Sequence, residues 1–179
     1  MFDQFGADAS EENTKRYERS DNWKEARFMN LKKTGMDIQI KDIPKLLYQQ
    51  FFEKNGRHPS KEIQMKAFNL QEFLKPSVDS KMIWFGHSVI LLRINELTIL
   101  IDPMFGPNAA PISPFSIKRF STNTLHVIDQ LPEIDIVLIS HDHYDHLDFK
   151  SIKKLQHKTK VFHTALGVGR HLEKMGCRT

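Results

Sequence analysis

Cysteine is almost absent from this sequence of 179 residues, which contains only Cys177. A single thiol cannot form a disulfide within the chain, and a zinc finger built on cysteines is excluded. Residues 1–20 carry several acidic side chains and no apolar core, which excludes a secretory signal peptide. We therefore expect a reducing compartment and a cytoplasmic location for this chain.

Long apolar runs are also missing. The most apolar stretch, residues 89–101, is interrupted by Arg93, Asn95 and Glu96. A helix needs about 20 apolar residues to cross a bilayer, so this stretch is excluded as a membrane span. Peripheral association with a membrane surface remains open.

A large excess of charge of one sign is the third feature that the sequence lacks. Lys and Arg number 26 against 22 Asp and Glu, which gives a formal net charge of +4. Nucleic-acid binding proteins usually concentrate basic residues on one face, whereas here they are spread along the chain. We expect no nucleic-acid partner, and the small positive excess is compatible with a small anionic substrate.

Residues 1–80 and residues 81–179 differ in pattern, and we interpret them as two units. Residues 1–40 are polar with scattered aromatic side chains, which indicates a poorly regular arm. Two amphipathic helices follow, one beginning after Asp42 and one extending from Ser60 to Pro76. Their apolar faces contain Ile43, Leu46, Leu47 and Phe51 in the first and Ile63, Ala67, Leu70 and Leu74 in the second. These faces pack on the core or, alternatively, contact a membrane or a partner.

Short apolar runs with β-branched residues dominate the second unit and predict strands. The predicted strands cover residues 82–85, 89–94, 97–101, 134–139 and 161–162. The first three form a meander, and a helix near 149–156 connects the last two as a parallel βαβ pair. A proline-rich loop at 103–120 is expected to act as a lid, and a last helix is expected near 166–175. The predicted fold class is α/β.

The most informative segment follows the predicted strand 134–139. Residues 141–148 contain three histidines and three aspartates in the pattern His-x-His-x-Asp-His. Imidazoles and carboxylates suit zinc, iron or manganese, and two metals held close together can lower the pKa of a bridging water. His141 and His143 can bind one metal, and Asp145 and His146 a second. The alternative, a hydrated acidic turn, explains Asp148 as a helix cap but does not explain three histidines.

This motif and the stretches around it resemble the metallo-β-lactamase-fold hydrolases. The resemblance is strongest to the branch that contains N-acylphosphatidylethanolamine-hydrolysing phospholipase D and its bacterial relatives. The matching stretches are residues 84–88, 101–105, 113–114, 118–120, 140–148 and 166–169. The resemblance implies a metallo-β-lactamase-like αββα sandwich, of which residues 81–179 form the first half only. Residues 1–80 would then be an N-terminal helical extension.

The resemblance also implies an activity. It implies a metal-dependent hydrolase of a phosphodiester or phospholipid-like ester that uses metal-activated water. The expected cofactor is zinc, as two divalent metals in the complete site, with iron or manganese as alternatives. A lactone, an amide or a β-lactam remains an alternative substrate, because fold and metals do not determine the substrate.

Individual residues receive roles from the same resemblance. His141 and His143 would bind the first metal, and Asp145 and His146 the second, while Asp145 would also orient the attacking water. Asp102 and His87 would lie beside these ligands and support them, with substrate contact as a second role for His87 and an ordinary turn residue as the alternative for each. The candidates for substrate contact are Tyr144, His163, Lys118 and Arg119.

The family takes three further ligands from its second half, and here the sequence departs from it. We expect the chain alone to be an incomplete catalyst that binds metal weakly, and that self-associates or needs a complementing second half. A truncated, non-catalytic metal-binding fragment is the alternative. His157 and His171 are expected to be solvated, and Cys177 to be a structural thiol.

Overall fold

The computed structural model describes residues 6–32, 35, 39–53, 56, 59–109 and 118–179. Part of the predicted lid loop, residues 110–117, lies outside the described residues, and so does the matching stretch 113–114. Among the described helices, none has the length and apolar character needed to cross a bilayer.

The N-terminal arm is more regular than we predicted. Helix α1 (Glu11–Tyr17) begins at Ser10, whose side chain accepts a hydrogen bond from the Asn13 backbone amide. Strands β1 (Trp23–Lys24) and β2 (Arg27–Phe28) then form a hairpin. The rings of Tyr17, Trp23 and Phe28 contact one another with centroids 4.9–5.3 Å apart. This aromatic cluster supplies the apolar burial that orders an otherwise polar segment.

Helix α2 (Ile43–Phe52) forms where the sequence predicts it, after a short 3₁₀ turn. Asp42 does not cap this helix, because its carboxylate accepts instead from the Gln39 backbone amide at 3.1 Å. Ile43, Leu46 and Leu47 of the predicted apolar face are exposed. The expectation that this face packs on the core is therefore not met within the described residues.

The second predicted helix is wrong over most of its length. Only α3 (Leu70–Leu74) is helical, and it begins at Asn69 instead of Ser60. Residues 61–69 have no regular secondary structure. The Ile63 amide donates to the Phe120 carbonyl at 2.9 Å, and the Glu62 carboxylate accepts from the Thr122 amide at 2.9 Å. These hydrogen bonds to another segment replace those of a helix and override the local helical spacing.

The five predicted strands, with the predicted meander and parallel pair, join in one five-stranded mixed sheet at the centre of the second unit. Its strands are β3 (Lys81–Trp84), β4 (Ile90–Ile94), β5 (Leu97–Ile101), β6 (Ile134–Ile139) and β7 (Thr159–Thr164), in that spatial order. Strands β3, β4 and β5 are antiparallel, and β5, β6 and β7 are parallel. Three helices accompany it: α4 (Val127–Gln130), α5 (Phe149–Leu155) and α6 (Gly169–Lys174).

The two faces of the sheet differ in burial. Leu91, Leu100, Val137 and Phe162 share one face by register and belong to the buried core with residues of α4, α5 and α6. On the other face, Met82 and Trp84 are 67% and 66% exposed. Their neighbours in register on that face are half-buried apolar residues, namely Ile90, Leu92, Ile99, Ile101, Ile136, Leu138 and Val161.

The start of the predicted lid loop is part of the core and does not lie over it. Met104 and Phe105 are fully buried. The Phe105 amide donates to Ser151 Oγ at 2.9 Å, and its carbonyl accepts from the Thr124 hydroxyl. Both side chains are large and apolar, so their burial is favourable. This gain outweighs the preference for an exposed loop that the surrounding prolines indicate.

Candidate metal centre

One edge of the sheet gathers the candidate ligands. Strands β5 and β6 are parallel, so Asp102, directly after β5, and the segment 140–147, directly after β6, emerge at the same edge. Strand β4 is antiparallel to β5, so the turn before it, which contains His87, lies at this edge too. Topology thus brings together residues that are up to 59 positions apart, His87 and His146.

The histidines of this edge are close neighbours. The ring centroids of His141 and His143 lie 4.5 Å apart, and those of His141 and His146 lie 4.0 Å apart. The His87 ring is 5.4 Å from that of His146. The cluster therefore contains all three histidines of the motif and one from a different turn.

Asp145 lies between two of these rings. Its Oδ2 atom is 3.2 Å from His87 Nε2 and 3.8 Å from His146 Nε2. The ligand atoms of these three residues all lie within 4.8 Å of one another. Two imidazoles and a carboxylate at this spacing are a donor set that suits a divalent metal such as zinc.

Asp102 lies behind the cluster and orients it. The residue is only 5% exposed, and its φ of +44° is a strained conformation for a residue with a side chain. Its carboxylate accepts from the Ser140 amide at 2.8 Å, from Ser140 Oγ at 2.7 Å and from His146 Nδ1 at 2.9 Å. Because His146 donates through Nδ1, its Nε2 atom is directed toward Asp145, 3.8 Å from Oδ2.

Ser140 extends this arrangement to a second histidine, a role that the sequence did not reveal. Its hydroxyl donates to Asp102, so it accepts from His141 Nδ1, which lies 2.9 Å away. His141 therefore also keeps Nε2 free. The only sequence signal for this role is a small polar residue at the end of a buried strand, directly before the first motif histidine.

Backbone hydrogen bonds hold the motif loop in shape. The amides of His146 and Leu147 both donate to the His143 carbonyl, at 2.9 and 2.8 Å. Leu147 is buried, and Asp148 caps α5 by accepting from the Ser151 amide at 3.0 Å. The loop is thus attached to the core immediately after its last ligand candidate.

The predicted substrate-contacting residues occupy different positions. The Arg119 guanidinium donates to the carbonyls of Met104 and Phe85, the latter at 2.6 Å. Burial lowers its pKa, an effect that Asp148 partly offsets. Because these carbonyls occupy its donors, Arg119 connects two loops. It is less available to a substrate anion than we expected.

The other three substrate candidates are at least partly accessible. Lys118 is exposed and forms a backbone bridge with Asn108. Tyr144 is exposed next to the ligand candidates, and His163 is exposed on β7 in register with Leu138. Their role in substrate contact stays a prediction.

His171 is buried, which contradicts the expectation that it is solvated. It is only 7% exposed, whereas His157 is exposed as expected. Its Nδ1 accepts from the Ala7 amide at 2.8 Å, and its Nε2 lies 3.5 Å from Asp142 Oδ2. His171 therefore connects the N-terminal arm to the motif loop, a link between distant segments that local sequence could not indicate.

An apolar cavity of about 940 Å³ opens next to the cluster. His87 and Trp84 lie on its wall, together with Arg119. The apolar lining includes Ile63, Met65, Phe68, Phe73, Ile83, Phe85 and Phe120. Segment 63–69, which the sequence predicts as helix, forms one side of this cavity.

Comparison with known proteins shows which residues of the chain match a family model. The family model described as a beta-lactamase superfamily domain matches residues 98–179. Residues 98–179 are thus similar to a beta-lactamase superfamily domain. The matched region contains Asp102, Ser140 and the motif residues 141–146, but not His87.

The curated proteins that this chain is similar to are considerably longer than the chain. The uncharacterized protein Rv0906 of Mycobacterium tuberculosis is 29% identical over 89% of this chain and 42% of its own length. A UPF0173 metal-dependent hydrolase of Sulfolobus acidocaldarius is 37% identical over 45% of this chain and 31% of its own. The N-acyl-phosphatidylethanolamine-hydrolyzing phospholipase D 1 of Caenorhabditis elegans is 33% identical over 40% of this chain and 20% of its own. The chain thus spans less than half the length of these relatives.

Proposed function

We propose that this chain belongs to a metal-dependent hydrolase and contributes the metal-binding edge of its first sheet. The observation that carries the proposal is the network around Asp102. Asp102 contacts His146 directly and His141 through Ser140. These contacts direct the Nε2 atoms of both rings away from the core, and Asp145 lies close to Nε2 of His146. Carboxylate–histidine pairs of this kind are typical behind metal ligands, because they set the ring orientation and the tautomer.

The metal-binding residues that we propose are His141, His143, Asp145 and His146, with zinc as the metal. A bound divalent metal would polarise the substrate and lower the pKa of a water molecule. Asp145 is half-exposed, so one carboxylate oxygen can hold the attacking water by a hydrogen bond. Asp102 keeps the His146 ring in place throughout the reaction, because all three hydrogen bonds that its carboxylate accepts come from protein groups.

A phosphodiester or phospholipid-like ester is the substrate that we propose. Two observations support it: the name of the C. elegans relative and the apolar cavity whose wall includes His87. A cavity of this size can hold an apolar substituent while an ester lies at the sheet edge. Lys118 at the cavity wall would attract an anionic group. Peripheral contact with a membrane is compatible with such a substrate, and a nucleic-acid partner is not part of the proposal.

The half-exposed apolar face of the sheet, which includes Met82 and Trp84, supports a further proposal about partners. We propose that residues 81–179 form the first half of a sandwich whose second half, or a second copy of the chain, covers this face. Exposed apolar patches of this kind are typical of interaction surfaces. Light scattering of the purified chain tests the second copy, and a monodisperse monomer would exclude it.

The test of the proposed function combines metal analysis and activity. The purified chain is loaded separately with zinc, iron or manganese, and bound metal is measured after desalting. A phosphodiester, a lactone and a β-lactam are then offered under identical conditions. Because we expect the chain alone to bind metal weakly and to be an incomplete catalyst, we expect partial retention of zinc and slow hydrolysis, with a preference for the phosphodiester. A chain that retains none of the three metals would overturn the proposal. Hydrolysis of the lactone or the β-lactam alone would show that this compound class, and not a phosphodiester, is the substrate.

A further inference from the structure

The turn between β3 and β4 holds a histidine in an unusual backbone conformation. His87 has a φ of +43°, and Gly86 before it has a φ of +85°. The Phe85 amide donates to the Val89 carbonyl at 3.0 Å, and Trp84 Nε1 donates to the His87 carbonyl at 2.9 Å. A side-chain-bearing residue held in this region is a strained feature that often marks a functional site.

Hydrogen bonds orient the His87 ring toward Asp145. The Ser88 hydroxyl lies 3.3 Å from the Asp145 carbonyl and 3.5 Å from the Asp102 carbonyl, and only a donated proton can serve either contact. It therefore accepts from His87 Nδ1, which lies 3.1 Å away. In this orientation His87 Nε2 faces Asp145 Oδ2 at 3.2 Å.

This arrangement places three possible ligand atoms close together. His87 Nε2 is 3.2 Å and His146 Nε2 is 3.8 Å from Asp145 Oδ2. All three ligand atoms lie within 4.8 Å of one another, and two imidazole nitrogens with a carboxylate oxygen are a donor set that suits a divalent cation. Two donors bound to one tetrahedral zinc, each about 2.0–2.2 Å from the ion, are themselves about 3.2–3.6 Å apart. The observed spacing is therefore close to that of a ligand set.

We propose that His87 is a direct ligand of the metal that Asp145 and His146 bind. The inference rests on the proposed function only for the presence of a metal. It differs from the role expected from the sequence, in which His87 supports other ligands. With His87, this metal has three protein ligands, the number typical of catalytic zinc with one open position.

Cobalt(II) and zinc binding by the full chain tests the proposal without any activity assay. The variants are His87→Ala, His87→Gln and, as a matched control, His157→Ala, which removes an exposed histidine. For His87→Ala we expect at least a tenfold weaker zinc affinity in competition with a chelator and a changed visible spectrum of the cobalt form. We expect His157→Ala to match the parent in both measurements.

His87→Gln separates a ligand from a hydrogen-bond partner. Its amide can still donate to Asp145, but it cannot replace an imidazole nitrogen in the cobalt spectrum. We expect it to resemble His87→Ala. Parent-like affinity and an unchanged cobalt spectrum in either variant would overturn the proposal. Circular dichroism of the metal-free proteins checks that all variants are folded. If His87→Ala is misfolded, the result for His87→Gln alone tests the proposal.

A further variant distinguishes this inference from the proposed function. If His143→Ala loses metal while both His87 variants keep it, the metal-dependent function stands and the assignment of His87 is wrong. If neither residue affects metal binding, the proposed function fails as well.

Discussion

His146 Nδ1 and Asp102 Oδ2 lie 2.9 Å apart, although the two residues are separated by 44 positions in the sequence. Asp102 follows β5 and His146 follows β6, and the parallel pairing of these strands makes the contact possible. The contact is mostly shielded from solvent, because Asp102 is buried and the His146 side chain is only 19% exposed. A buried carboxylate that receives three hydrogen bonds is a rigid support for the imidazole in front of it.

Asp102→Asn should weaken metal binding and stability together. The amide keeps one acceptor oxygen but replaces the other with an NH₂ group, which cannot accept from His146 or Ser140. We expect metal affinity to fall by about 10–100-fold. The free energy of unfolding should fall by about 1–3 kcal/mol, because buried donors lose their partners. Chelator competition and urea unfolding measure the two effects. Asp129→Asn, an exposed carboxylate, is the control, and equal losses in both variants would contradict the assigned role.

His143→Ala should remove bound metal or reduce its affinity at least tenfold, because one imidazole of a shared site is lost. His143 is exposed, so the free energy of unfolding of the metal-free chain should change by less than about 0.5 kcal/mol. Metal content after desalting is the measurement. Equal metal content in variant and parent, with stability that a chelator does not affect, would reject the metal site.

Arg119→Lys should destabilise the chain even though the charge is retained. The planar guanidinium reaches the carbonyls of Met104 and Phe85 at the same time, which a single ammonium group cannot reproduce. We expect a loss of about 1–3 kcal/mol in the free energy of unfolding, since buried acceptors are left without donors. Lys118→Arg is the control on the neighbouring exposed position. A loss confined to substrate affinity, with unchanged stability, would instead restore Arg119 as a substrate-binding residue.

His171 should make stability depend on pH in a defined direction. Burial, and next the charge of Arg170, lower its pKa, although Asp142 opposes this shift. The unfolded chain therefore takes up a proton near the ordinary histidine pKa of about 6.5, where the folded chain still excludes it. The contribution of His171 to stability is complete above pH 6.5 and is lost as the pH falls below it.

The substitution His171→Asn tests this dependence, because the shorter amide retains an acceptor for the Ala7 amide but does not titrate. Urea unfolding at several pH values between about 5 and 8 should show a smaller loss of stability on acidification than in the parent. His157→Asn should leave the parent's dependence unchanged. The same slope in the parent and His171→Asn would show that the buried ring does not contribute.

The sequence by itself determined the elements whose signals are local. The α/β class, the meander, the parallel βαβ pair and the position of the motif all follow from short-range patterns, because strand alternation and buried apolar runs depend on near neighbours. The motif residues 141–146 are adjacent in the chain, so their proximity needed no knowledge of the fold. Asp148 as a helix cap was equally readable, since capping involves residues only three positions apart.

Tertiary structure alone decided the features that depend on distant partners. Residues 61–69 are not helical because Glu62 and Ile63 form hydrogen bonds with residues 122 and 120, and His171 is buried because the arm packs on it. The ring of His87 faces Asp145 only because β4 is antiparallel to β5. This pairing brings the turn before β4, which contains His87, to the sheet edge where residues 141–146 lie. Local propensities differ by less than about 1 kcal/mol per residue, so a few buried hydrogen bonds and apolar contacts between distant segments override them.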